Sequence, residues 1–209
     1  VRGDLVTGST FPNYELLDHQ GQLSSVLDLQ GRDPLLVLLA HGTFCAEEHW
    51  FHERLVGLWR AFNLGSVGVV TITTDDLLDT NNFRDRLGAP WPFLSDPSRL
   101  YQRDLDIADY TDPLHDSMVP HLFVLSPELR IHSWYVGHWL WGRPTESELW
   151  RDLRTVSRAI RPDWDLSNPG LRERWTDGHR RDFRPYRRSM RDDVELFDDQ
   201  DDLRYEPGA

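Results

Sequence analysis

The sequence predicts an α/β fold, a mixed sheet flanked by helices, with an N-terminal extension and a charged C-terminal tail. Three observations lead there. Pro34 to Ala40 (PLLVLLA) is apolar throughout, as a strand buried on both faces should be. A long amphipathic stretch and then a second β-branched run follow it, the order of a strand–helix–strand unit. Further on, two strand-like runs are joined by only four residues, which suits an antiparallel hairpin.

Each element has its own local reason. The run PLLVLLA reads as a central parallel strand. After Cys45, Phe51, Leu55, Leu58, Trp59 and Phe62 lie on one stripe of a helix that Gly65 punctuates. Val67 to Thr73 (VGVVTIT) is the next strand, and Asp75 to Leu87 is a weaker helical pattern closed by Gly88. Asp96 and Pro97 read as the N-cap and first residue of a short helix through Leu100, Tyr101 and Leu105. His121 to Leu125 and Arg130 to Val136 form the hairpin around Ser126-Pro127-Glu128-Leu129. Thr145 and Glu148 make a T-x-x-E capping box, and Leu149, Leu153, Val156 and Ile160 give the stripe of a last helix. This βαβ then ββα order is that of the thioredoxin fold, preceded by an extension from about Phe11 to Leu29. Residues 1–160 form the expected domain. Residues 161–209 are an Arg- and Asp-rich extension in which Trp164, Trp175, Phe183 and Tyr186 suggest partial packing, and the acidic run 198–202 suggests disorder near the end.

Composition narrows the function. The 209 residues carry a formal net charge of −12, which repels phosphate backbones, so nucleic acid is not an expected partner. No apolar run approaches the roughly 20 residues of a membrane helix, and no leader pattern opens the chain. A soluble cytoplasmic protein is the expectation. All 23 basic residues are arginine, which reads as codon bias and not as a binding signal. The single cysteine, Cys45, excludes an internal disulfide and a multi-cysteine zinc site.

Cys45 stands between the buried strand and the long helix, within His41-Gly42-Thr43-Phe44-Cys45-Ala46-Glu47-Glu48. At a helix start, free N–H groups and the positive end of the dipole stabilise a thiolate, the species that attacks peroxides and disulfides. A buried, inert core thiol is the competing reading. His49 and His52 follow at four and seven residues, a spacing that could ligate zinc or copper, although solvated histidines on a helix flank weigh more heavily. No metal and no cofactor are expected. The segment Trp134 to Gly142 (WYVGHWLWG) is unusually aromatic. Core packing explains most of it, and an aromatic-walled pocket or a homodimer contact is the sharper alternative.

From Phe11 to about Ile160 the chain resembles the redoxin or AhpC/TSA group of peroxiredoxin-like proteins. Phe11-Pro12-Asn13-Tyr14-Glu15-Leu16 with Gly21 resembles the family's opening F-x-L-x-D-x-x-G. His41-Gly42-Thr43-Phe44-Cys45 resembles R-G-x-W-C, and Trp91 to Asp96 (WPFLSD) resembles F-P-x-L-S-D. The resemblance implies a thioredoxin-like fold, Cys45 as the peroxidatic nucleophile, and Pro120 as the cis-proline facing it. Gly42 stands where the family has Thr or Ser three residues before the cysteine. No arginine precedes the strand His121 to Leu125, and Glu48 occupies the place of a second C-x-x-C cysteine.

A one-cysteine peroxidase is therefore the leading expectation, with peroxide or disulfide as substrate and an external thiol as reductant. In that reading Thr43 donates a hydrogen bond to the substrate oxygen, His41 carries a proton, and Glu48 accepts hydrogen bonds or relays a proton while its charge opposes a low thiol pKa. Thr43 reads equally as turn chemistry and His41 as a strand-end residue. The alternative function is a redox-inactive thioredoxin-fold protein that binds a small molecule or a partner.

Overall fold

Strand β3 (Leu35–Leu39) is buried at every position, and that continuous burial places it near the middle of a seven-stranded sheet. In the computed structural model, which describes residues 1–180 and Phe183, the strand order is β2-β1-β5-β4-β3-β6-β7. The strands are β1 (Leu16–Asp18), β2 (Leu23–Ser24), β4 (Gly68–Thr73), β5 (Phe93–Ser95), β6 (His121–Ser126) and β7 (Arg130–Val136). Strand β3 runs parallel to β4 and antiparallel to β6, so its predicted parallel character holds on one side only. The hairpin β6–β7 turns through Glu128 and Leu129, both at positive φ.

Alternation along the strands divides the core. Leu35, Val37 and Leu39 of β3, Val70 and Ile72 of β4, Leu94 of β5 and Phe123 of β6 share one face. They pack with Phe11, Val26, Tyr101 and Leu105, which come from the N-terminal segment, from α1 (Val26–Gln30), and from α4 (Leu100–Asp104) with its C-cap. The opposite face meets α2 (Ala46–Leu64) and α3 (Leu77–Leu87), whose His52 and Phe83 rings contact Phe93. Helix α5 (Glu146–Ile160) ties to β7 where Ser133 and Tyr135 donate to the Asp152 carboxylate. Its capping box forms as the sequence predicts, with Thr145 N–H donating to Glu148 and Glu148 N–H to Thr145 Oγ1. Gly88 closes α3 in the left-handed region.

Helix α4 begins later than expected. Pro97 does not enter it, because Arg99 takes a left-handed conformation (φ 56°) and restarts the chain. Asp96 still caps the helix, accepting from the N–H groups of Leu100 and Tyr101. By its internal contacts the chain divides into two compact units, Val1–Val156 and one that begins at Ser157. The second unit contains α6 (Pro169–Thr176), with the Arg180 guanidinium stacked over Trp175 and Phe183 edge-on to the same ring. Tyr186 and the acidic run 198–202 lie outside the described residues. No helix among the described residues is long and apolar enough to cross a membrane.

Candidate active site

The β3–α2 connection delivers Cys45 to the carboxyl edge of the two parallel central strands, where open α/β sheets place their sites. Cys45 is the N-cap of α2, half-buried, and its N–H bonds to the Gly42 carbonyl at 3.2 Å, which closes a tight turn. Gly42 has φ 151°, and a Cβ there would meet the Phe44 ring at 2.4 Å. The turn therefore needs a glycine where the family pattern has a hydroxyl residue. Other elements clamp it. Thr43 N–H donates to Asp75 Oδ2 (3.0 Å) beyond β4, and Thr43 C=O bonds to His49 Nε2 (2.9 Å). Thr43 is thus held through its backbone. His41 Nε2 lies 3.1 Å from Asp109 Oδ2, and Phe44 stacks on His115 at 3.7 Å between centroids.

Beneath the first turn of α2 lies a buried polar network. Glu48 is only 1% exposed and meets the Arg143 guanidinium at 2.5 Å. On its other side His52 Nδ1 approaches the Glu48 carboxylate (3.4 Å) and carbonyl (2.9 Å). His52 Nε2 meets Thr71 Oγ1, which also accepts from the Trp91 indole N–H. A carbonyl oxygen only accepts, so His52 Nδ1 is the donor to Glu48, and the Thr71 hydroxyl, which accepts from Trp91, keeps its own proton to offer to Nε2. Burial opposes ionisation of Glu48, but the His52 hydrogen bond and the Arg143 charge outweigh it and hold the carboxyl at about 2. Glu48 is held as an anion against the Arg143 guanidinium, which disfavours its taking up a proton.

The thiol itself departs from expectation. Burial pushes the Cys45 pKa above its usual value, and the Glu48 charge adds to that push. The N–H groups of Glu48 and Glu47 and the Arg143 charge favour the thiolate, but neither N–H makes a hydrogen bond of ordinary geometry to sulfur, and burial wins. The helix-start address alone does not deliver the low pKa read from the sequence. The rate of Cys45 alkylation by iodoacetamide should accordingly still be climbing above pH 9, the ordinary thiol midpoint. A plateau reached below pH 8 would contradict this balance of burial and charge.

The other predicted residues sort as follows. Pro120 immediately precedes β6, but no cis peptide bond occurs among the described residues, so it does not take the cis form that the resemblance implies. His49 and His52 serve Thr43 and the Glu48 network, and no group of three metal-ligating side chains forms among the described residues. Of the aromatic run, Trp134 packs against the core beside Phe123, while Trp139 and Trp141 stand 67% and 85% exposed. Sequence reasoning missed Arg143, Asp75 and Asp109. The arginine that it looked for just before β6 is absent, and the cation that reaches Glu48 comes instead from the β7–α5 connection.

Comparison with known proteins decides the family. Residues 7–133 match the AhpC/TSA family. The chain belongs to that family. Among solved structures, the AhpC/TSA-family protein is similar to the peroxidoxin BcpB of Mycobacterium tuberculosis, at 19% identity and a TM-score of 0.61 over 74% of this chain and 97% of that one. It is also similar to a variant of peroxiredoxin 6 from Arenicola marina (19%, TM-score 0.64, 82% and 88% of the two chains). A third is AhpC of Enterococcus faecalis (17%, TM-score 0.62, 77% and 97%). These establish the thioredoxin-like fold. No curated protein matches the sequence of this AhpC/TSA-family chain.

Proposed function

We propose that the protein is a one-cysteine thiol peroxidase that reduces peroxides through Cys45. The observation that carries this reading is the placement of its single cysteine at the N-cap of α2 in an AhpC/TSA fold, beside the Arg143–Glu48 pair. The thiolate attacks the outer peroxide oxygen, the O–O bond breaks, and the departing alkoxide takes a proton to become an alcohol or water. Cys45 is then a sulfenic acid, oxidised by two electrons. An external thiol condenses with it to a mixed disulfide, releasing water, and a second thiol frees Cys45. The single cysteine of this sequence supports a reductant from outside the chain. Arg143 supplies a fixed positive charge close enough to favour the thiolate.

One observation favours the alternative, a binding protein without redox chemistry: burial raises the thiol. Turnover distinguishes the two. With hydrogen peroxide or an organic hydroperoxide and excess dithiothreitol, the wild type should consume peroxide catalytically and Cys45→Ser should fall to the uncatalysed rate. Equal rates in the two proteins would leave the binding-protein reading in place.

A further inference from the structure

A half-buried thiol whose pKa is raised must lose a proton before it can attack, and Glu48, whose charge acts on it, is locked to Arg143 and His52. Asp75 and His49 are engaged by the Thr43 backbone, and a further cluster of titratable groups at the turn is drawn from three separate segments. His41 leads into the turn from β3, Asp109 comes from the loop ahead of β6, and His138 follows β7. Asp109 is 5% exposed, and its carboxylate is fixed from behind by the N–H and hydroxyl of Thr111 (2.9 and 2.6 Å). Its Oδ2 faces His41 Nε2 at 3.1 Å and His138 Nδ1 at 3.7 Å.

We propose that Asp109 is a positioning residue for His41, and that His41 carries the proton between the Cys45 thiol and the departing peroxide oxygen. The inference rests on the peroxidase reading and deepens it. An ionised Asp109 accepts from His41 Nε2–H, which fixes the tautomer and leaves Nδ1 as the free base. The same carboxylate steadies the imidazolium once it forms, as a buried aspartate does beside a catalytic histidine. Proximity comes from the turn itself, since Cys45 N–H bonds to the carbonyl of Gly42, the residue that follows His41. The Phe44 ring, from the residue before Cys45, lies 5.3 Å from the His41 ring.

The step balances. His41 Nδ1 takes the S–H proton, sulfur bonds to the outer peroxide oxygen as the O–O bond breaks, and the alkoxide receives the proton from the His41 imidazolium. Thiol and hydroperoxide become sulfenic acid and alcohol, and the imidazole is returned neutral. Asp109 is the titratable group in contact with His41, and His138 meets the same carboxylate. Beyond Phe44 lies His115, paired with Asp112, and on the far side of the turn lies Asp75.

The test compares two rates on the full chain, Cys45 oxidation by hydrogen peroxide in a single turnover and Cys45 alkylation by iodoacetamide, each across pH 5 to 9. In Asp109→Asn and His41→Gln, oxidation at neutral pH should slow by about tenfold or more, while alkylation changes little. Asp109→Glu should recover part of the rate. Oxidation unchanged within about twofold in both variants, or oxidation and alkylation falling together, would overturn the relay. Either of those results leaves the peroxidase reading standing, since that depends on Cys45→Ser alone.

Discussion

Arg143→Leu should lower the melting temperature by about 10 °C and slow Cys45 alkylation at every pH below 9. Arg143 and Glu48 are both buried, and removing the guanidinium strands a carboxylate in the interior. Breaking such a pair costs about 3–5 kcal/mol, and a chain of this size loses roughly 2–4 °C per kcal/mol. The His52 contact remains and keeps the loss toward the lower end. The thiol responds because Arg143 is one of the influences that favour the thiolate. Arg143→Leu combined with Glu48→Leu should regain much of the melting temperature, since the stranded charge is gone. Thermal unfolding followed by circular dichroism measures both variants. A single variant as stable as the wild type would show that the pair does not hold the first turn of α2 to the β7–α5 connection.

Gly142→Ala should damage the same connection from the backbone side. A Cβ at Gly142 would sit 2.0 Å from the Val136 carbonyl oxygen, a backbone atom that cannot swing aside as a flexible side chain can. The 3-10 turn Leu140–Gly142 must therefore shift, and Arg143, whose N–H bonds to the Leu140 carbonyl, moves with it. The expected result is slower Cys45 alkylation together with a melting temperature several degrees lower, of the order seen for overpacking by 1–3 kcal/mol. Gly57→Ala is the control. Gly57 lies in α2 with open space around it, so alanine should stabilise by about 0.5–1 kcal/mol through helix propensity. If Gly142→Ala behaves like Gly57→Ala, the close approach to Val136 does not set the position of Arg143.

The fold was readable because its strands and helices announce themselves locally. The run Leu35–Leu39 is apolar at every position, Gly88 closes α3, and Thr145 with Glu148 starts α5. Two misreadings have physical causes. Pro97 after Asp96 imitates a helix start, but Arg99 enters the left-handed region and postpones the helix. The stripe of α2 was drawn through apolar residues alone, whereas Glu48 and His52 are buried on it, satisfied by partners far along the chain. Periodicity cannot show that a charged residue has a buried partner 95 positions away. For the same reason Cys45 and His41 were found by their position around a strand–helix junction, while Arg143, Asp75 and Asp109 reach the site from loops without a local pattern. The direction of the thiol's pKa was likewise a matter of tertiary burial, which a helix-start argument does not include.

The most direct measurement is the mass of intact protein after one equivalent of hydrogen peroxide, with the sulfenic acid trapped and its position found by peptide mapping. The proposed chemistry predicts one trapped sulfenic acid per chain, located at Cys45, forming at the rate at which peroxide disappears and faster as pH rises. Peroxide that persists beside an unmodified Cys45, or that disappears without marking it, would contradict the account.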